Sequence, residues 1–312
     1  MIVRFTAATA STNAEGTDDI IKAVKPGLLR AFLVCSNGGN LKNLLGEWFL
    51  MKKFMLICMA ILSLAVFAAG CGGDSAKKDS GAKQGSEKVL RVGTNADFAP
   101  FEFQNVNGKE YEGFDMDLIR AVAKEMGYKA EIQNVNFDGL IPAMESGNLD
   151  VIISGMTIND ERKQKVNFSD PYYKSGLTII VKKDNKEINK FADLKGKKVA
   201  VQIGTTSAKE CRKIEGIEVK EFNSSADTFL ELKAGGVDAV VNDRPVNDYY
   251  IKKSGVTDVR ALDDLLTSED YGIAMSKKDA EMQKKVNEAL KKLHENGEYD
   301  KIFAKWFGTT TK

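Results

Sequence analysis

The sequence predicts an α/β protein, with mainly parallel sheets covered by helices. Three observations predict it. From Val89 onward, short apolar runs of strand length alternate with segments whose apolar residues recur at helical spacing, the pattern of βαβ units. The run LDVIIS (149–154) is continuously apolar, as a strand buried on both faces is. Finally, NLDVIISGMTINDER (148–162) is echoed by GVDAVVNDRPVNDYY (236–250), each a small-residue turn, an apolar strand, a polar loop and a helix. Two similar halves facing each other would set two such loops across one cleft, since ligands of these sheets sit at the carboxyl ends of strands.

The elements follow in order. VLRVGT (89–94) reads as a strand. FDMDLIRAVAKEMG (114–127) places Phe114, Leu118, Ile119, Val122 and Met126 on one helical face and stops at Gly127. KAEIQNV (129–135) is a strand, DGLIPAMESG (138–147) a short helix with Pro142 near its first turn, LDVIIS a strand and DERKQKV (160–166) a short helix. After FSDPYYKSG (168–176) the pattern restarts. Strands are expected at LTIIVKK (177–183), KKVAVQIG (197–204), IEVKEF (217–222), VDAVVND (237–243) and YGIAMS (271–276). Helices are expected at INKFADLKG (188–196), TTSAKECRKI (205–214), SADTFLELKAGG (225–236), PVNDYYIKKSG (245–255), DAEMQKKVNEALKKLHENG (279–297) and YDKIFAKWFG (299–308).

The chain of 312 residues is 43% hydrophobic and 29% charged with formal net charge +1, enough for two domains. A near-neutral balance argues against a nucleic-acid partner, which would favour a basic face. Residues 51–70 read as a secretory signal: Lys52 and Lys53, then an apolar run from Phe54 to Ala69 that is short for a membrane span. Its ending AAGC resembles a bacterial lipobox, which would make Cys71 the lipidated N-terminus; Ala68 stands where Leu is commoner. Residues 1–50 show no core pattern and read as a mis-called start upstream of Met51. Residues 71–88, rich in Gly, Ser, Lys and Asp, read as a flexible tether. Of the four cysteines, Cys35, Cys58, Cys71 and Cys211, the last alone lies in the body of the mature chain, so no disulfide is expected there. No CxxC pair or histidine cluster suggests a metal, and no cofactor is expected.

Four strand ends could carry chemistry. GTNADFAPFEF (93–103) offers Asn95 and Phe98, with Phe101 and Phe103 readable equally as core anchors. NVNFDGL (134–140) sets Phe137 just before a helix. SGMTINDER (154–162) carries Ser154, Gly155 and Thr157, then delivers Arg162. In VQIGTTSAKE (201–210), Gln202 ends a strand and Gly204, Thr205, Thr206 and Ser207 open a helix, whose free N–H groups suit an anion and whose hydroxyls suit capping.

Taken in order, GTNADFAPFEF, GFDMDLIRAVAKEMG, FDGLIPAM, DVIISGMTINDERKQKVNFSDPYY, LKGKKVAVQIGTT, DAVVNDRPVNDYY, YGIAMSKKD and ENGEYDKIFAKWFG resemble the polar amino-acid binding proteins of bacterial ABC importers, over nearly all of residues 89–308. The resemblance implies a two-lobed periplasmic-binding-protein-like fold of type II. Lobe one would be 89–174 plus 271–312 and lobe two 175–270, with crossing strands near YYKSGL and TSEDYG. It implies a monomer that is not an enzyme, held outside the cell membrane by a lipid anchor, capturing a free amino acid for a membrane permease and its ATPase. By the same likeness Arg162 pairs with the ligand α-carboxylate, joined by the backbone N–H groups of Thr157 and Thr206 with the Thr157 hydroxyl close by. Asp243 and the Gly155 carbonyl take the ammonium, while Asn95, Phe98, Phe137, Ser154 and Gln202 line the side-chain pocket. Glutamine-binding relatives often have Lys at Gln202 and Asp at Asn95. The neutral Gln202 and the facing aromatics Phe98 and Phe137 point to arginine or another basic amino acid, with glutamine or histidine next; Asn95 points the other way. Two other functions compete. One is a dehydratase on the same fold, for which Asp97 or Glu102 would supply the acid, the one histidine, His294, lying on a polar helix end. The other is a binding protein that presents its ligand to a separate sensor.

Overall fold

The computed structural model describes residues 88–253 and 255–308; the stretches read as an extension (1–50) and signal (51–70), and the tether with Cys71 up to its last residue, lie outside the described residues. The first half of the chain runs through β1 (Lys88–Thr94), β2 (Asp97–Phe98), β3 (Glu102–Gln104), β4 (Tyr111–Glu112), α1 (Phe114–Glu125), β5 (Tyr128–Asn134), α2 (Leu140–Glu145), β6 (Val151–Ile152), α3 (Asp160–Lys165) and β7 (Val166–Phe168). The strand β8 (Tyr173–Ser175) leads out of it. Then come β9 (Leu177–Lys182), β10 (Lys198–Gln202), α4 (Thr206–Cys211), β11 (Glu218–Phe222), α5 (Ser225–Ala234), β12 (Ala239–Asp243), α6 (Arg244–Lys253) and β13 (Val259–Ala261). The return strand β14 (Glu269–Tyr271) is followed by β15 (Ala274–Ser276), α7 (Ala280–Glu295) and α8 (Glu298–Phe307).

These strands form two five-stranded sheets, ordered β5-β1-β6-β15-β7 and β11-β10-β12-β9-β13. Between them β8 and β14 pair antiparallel, with Glu269 opposite Ser175 and Tyr271 opposite Tyr173. These two crossing strands lie within the YYKSGL and TSEDYG segments. The sheets are mixed rather than mainly parallel. β1 runs parallel to β5 and β6, and β10 to β11 and β12; β15 and β9 are antiparallel to their neighbours. The reason is connectivity: β9 and β15 are the strands that follow a crossing, and they enter their sheets from the opposite end to the strands that helices connect.

Each sheet is buried by helices. Leu90 and Val92 of β1 pack in one cluster with Phe114, Leu118, Ile119 and Val122 of α1, and α7 adds Val286, Leu290 and Leu293. In the second sheet Ile179, Val181, Val199, Val201 and Val241 pack around Cys211 and Ala208 of α4. Burying each such aliphatic side chain contributes roughly 1.5–3 kcal/mol. Two expected elements differ. INKFADLKG forms a single 3₁₀ turn, Phe191–Leu194, because the Asp193 carboxylate accepts from the backbone N–H groups of Asn189 and Lys190 and closes the turn locally. YGIAMS does not form one strand: β14 ends at Tyr271 and β15 begins at Ala274, so the chain changes sheets at Gly272 and Ile273. Phe101 is a core anchor, edge-on to Tyr173 at 4.8 Å and Tyr271 at 5.3 Å. His294 is exposed on α7, its ring 3.9 Å from that of Tyr299.

Candidate ligand-binding cleft

One cavity is walled by the residues expected to contact a ligand, from Asn95 and Phe98 through Arg162 to Thr206 and Asp243, together with Glu102; Gly204 and Ser207 of the same segments do not line it. The wall is drawn from the ends of strands in both sheets.

Arg162 is placed by a cap. The Asn159 side chain accepts from the Arg162 backbone N–H at 2.9 Å, starting α3 and turning the guanidinium inward. The residue is only 8% exposed. Nη1 donates to the Thr157 carbonyl at 2.8 Å and Nη2 to the Gly204 carbonyl at 3.2 Å, and the group lies 5.2 Å from the centre of the Phe137 ring. Burial lowers its pKa and the charges of Glu269 and Asp243 oppose that shift; a guanidinium stays charged regardless. No carboxylate salt-bridges it among the described residues. The Phe137 ring therefore already stacks on the protein's own guanidinium, and is not simply half of an open sandwich with Phe98.

Asp243 ends β12 and is 7% exposed. Its Oδ1 accepts from the Tyr271 hydroxyl at 2.5 Å and the Ser175 hydroxyl at 2.9 Å; Oδ2 makes no hydrogen bond among the described residues. It does not cap α6. Burial, aided by the Glu269 charge, pushes its carboxyl up to about 7. Both hydroxyl donors stand on the crossing strands, so the crossing itself orients this carboxylate.

The remaining positions divide by role. Gly155 has φ +51°, and a Cβ there would lie 2.9 Å from the Phe98 ring; only glycine lets the ring lie on this turn. Ser154 accepts from the Asn95 N–H at 2.9 Å and donates to Glu102 at 3.0 Å. Gln202 Nε2 donates to Asn95 Oδ1 at 2.6 Å and to the Asn223 carbonyl at 3.0 Å, so these two neutral side chains satisfy each other across the cleft. Thr205 is the N-cap of α4, accepting from Ala208 N–H at 3.2 Å. The hydroxyls of Thr157 and Thr206 both donate to Glu269 Oε2, at 2.5 and 3.0 Å. The Thr157 hydroxyl thus serves the carboxylate on the crossing strand rather than standing free for an anion.

Sequence reasoning missed Glu269, Tyr271 and Ser175, all on the crossing strands, and gave Glu102 only an enzyme's role. No local signal marks them: an isolated glutamate in a polar segment is ordinarily solvated, and only pairing of β8 with β14 buries it. The two lobes also meet outside the cavity. Lys209 on α4 reaches Glu161 on α3 at 2.8 Å, and a Cβ on Gly204 would strike Asp138 at 2.9 Å.

Two mixed α/β lobes joined by a pair of crossing strands, with a small charged cavity enclosed between them, define a type II periplasmic-binding-protein fold. The comparisons with known proteins agree. The chain belongs to the bacterial extracellular solute-binding proteins, family 3, whose model matches residues 90–309. It is 40% identical over 264 residues to a probable histidine-binding protein of Neisseria gonorrhoeae, covering 82% of this chain and 96% of that protein. It is 35% identical over 261 residues to the arginine-binding extracellular protein ArtP of Bacillus subtilis (strain 168), covering 82% and 98%. An ancestral arginine-binding protein solved with arginine superposes at TM-score 0.69 with 48% identity, over 70% of this chain and 98% of that one, and has also been solved with glutamine. An ancestral amino acid-binding protein, precursor of cyclohexadienyl dehydratase, matches at TM-score 0.65 and 46% identity, over 70% and 95%.

Proposed function

We propose that this chain is the substrate-binding component of an ABC importer, which grips a free amino acid between its lobes. Arginine or another basic amino acid is favoured, with glutamine or histidine next. One observation carries the reading: Arg162 from one lobe and Asp243 from the other wall the same small cavity. A zwitterion needs a donor fork for its carboxylate and an acceptor for its ammonium, and these are the two groups supplied. The hinge pair β8–β14 would let the lobes part and close. In this reading residues 51–70 are the lipoprotein signal and Cys71 carries the lipid that tethers the protein outside the membrane, beside the permease and ATPase.

A thermal-shift screen of the purified protein against the common amino acids tests it, because a ligand of the folded form raises the melting temperature. A shift with a basic amino acid is expected; no shift with any amino acid defeats the reading. The anchor has its own test: Cys71→Ala is expected to release the protein from the membrane fraction. A second reading, a dehydratase, is favoured by Glu102, a carboxyl on the cavity wall whose pKa burial and the neighbouring Asp115 charge raise, and by the likeness to the dehydratase precursor. Incubation with prephenate, watched for product, separates the two.

A further inference from the structure

Beneath the turn formed by Ser154 and Gly155 lie two carboxyls with no exposed surface, Glu102 of β3 and Asp115 of α1. Glu102 Oε1 accepts from the Ser154 hydroxyl at 3.0 Å. Asp115 Oδ2 accepts from the Gly155 N–H at 2.9 Å and the Tyr172 hydroxyl at 2.7 Å. The other oxygen of each, Glu102 Oε2 and Asp115 Oδ1, is buried without a donor; adjacent residues of one turn, Ser154 and Gly155, hold the two carboxyls, and the Asp115 charge acts on Glu102. Two anions so close in a dry site repel strongly. One proton held between Oε2 and Oδ1 removes both orphans at once. The donor pattern places it on Glu102: Asp115 has two donors to stabilise its anion, Glu102 only one.

The surroundings add no cation. Asp97 on β2 is a further negative neighbour of Glu102, and Tyr172 faces Asp115 as a neutral donor. Among the described residues no lysine, arginine or histidine salt-bridges either carboxyl. The pair then carries one unbalanced negative charge, and Glu102 is part of the cavity wall. This is the acid that the neutral Asn95 and Gln202 do not provide.

We propose that Glu102 and Asp115 share a single proton, and that the charge left on the pair selects a cationic side chain until acid adds a second proton and abolishes the preference. The proposal rests on the amino-acid reading above and names the chemical class of its ligand. Burial pushes Asp115 up to about 6 and raises Glu102 well above the usual carboxylate range, so the second proton arrives in mild acid. Asp243, pushed up to about 7, titrates in the same window, but it faces the ammonium common to every amino acid.

Calorimetry with L-arginine and with L-citrulline, its uncharged isostere, separates these effects. Titration of Asp243 weakens both ligands alike, whereas the dyad acts on their ratio. The expected result is an arginine-to-citrulline affinity ratio that falls by roughly tenfold or more between pH 8 and pH 5, as loss of one nearby charge at moderate dielectric demands. In the double variant E102Q/D115N the ratio is expected to be low at pH 8 and flat. A wild-type ratio constant to within about twofold overturns the proposal while leaving the amino-acid reading intact; no binding of either ligand at pH 8 overturns both. Should the double variant fail to fold, carbon-13 NMR of the wild-type carboxyls decides independently. One protonated carboxyl retained at pH 8 supports the shared proton, and two ionised carboxylates exclude it.

Discussion

Arg162 reaches inward from a helix of six residues, and its two recorded donations go to backbone carbonyls. With no carboxylate salt-bridged to it among the described residues, its charge is available to a ligand anion. Hydrogen bonds to a charged group contribute about 1.5–3 kcal/mol each, so Arg162→Ala is expected to weaken amino-acid binding by at least about a hundredfold. Calorimetry at pH 8 reads this, with unfolding curves to confirm that the variant is folded; affinity within a few-fold of wild type would refute the assignment. Gly155→Ala belongs to the same scale. A methyl 2.9 Å from the Phe98 ring at φ +51° must displace the ring or the turn, at about 1–3 kcal/mol of strain, and a lower melting temperature together with weaker binding is expected. The strand, polar turn and short helix around Arg162 were legible, while the role expected of its side chain came from the family resemblance. Glu102 was read only as an acid for a competing enzyme, since nothing in APFEF says that Asp115, thirteen positions on, folds beneath it.

Short helices place the cleft's charged and capping groups. α3 and α4 have six residues each, too short to persist alone in water, and their facing ends are tied across the lobes by Lys209 and Glu161. That pair is exposed, and such pairs contribute about 0–1 kcal/mol, so Lys209→Ala is expected to change affinity less than about fivefold, measurable in the same titrations. The far end of α4 carries Cys211, whose burial among Val199, Val201 and Val241 pushes its thiol up to about 12. Cys211 is expected to resist thiol reagents in the folded protein and to react once denaturant is added; mass spectrometry of the labelled peptide reports it, and rapid native labelling would contradict the packing described. At this scale the periodicity reading found the long helices and the buried strands. It mistook the 3₁₀ turn at 191–194 for a helix, because Asp193 serves as a local acceptor where the pattern counted it as a polar helix face.

At the scale of the whole molecule, several carboxyls are raised together: Asp97 and Asp115 to about 6 and Asp243 to about 7, each chiefly by burial. A raised carboxyl binds its proton more tightly folded than unfolded. The stability it contributes is full below the unfolded carboxylate value of about 4 and is lost as pH climbs through about 6 to 7. Asp150, held low by Arg91, stays ionised above pH 5 and does not offset this. The protein without amino acid is therefore expected to melt higher at pH 5 than at pH 8; a melting temperature rising from pH 5 to pH 8 would contradict the burial of these groups. The echo of 148–162 in 236–250 made the two halves legible, and Ser154–Arg162 and Asp243 do come from corresponding loops. The antiparallel strands were not legible, because the direction in which a strand joins its sheet depends on the crossings and not on its own residues.

The order of strands has a consequence for the newborn chain. Every strand of the second sheet lies between Leu177 and Ala261, so that sheet can complete as soon as its own residues have emerged from the ribosome. The first sheet begins earlier but must wait, since Ile152 pairs with Ala274 and Phe168 pairs with the same residue from the other side. A chain halted before Ala274 leaves β6 and β7 with bare edges and α1 without α7 and α8, the kind of unpaired surface on which aggregates nucleate. The half made first is the half finished last.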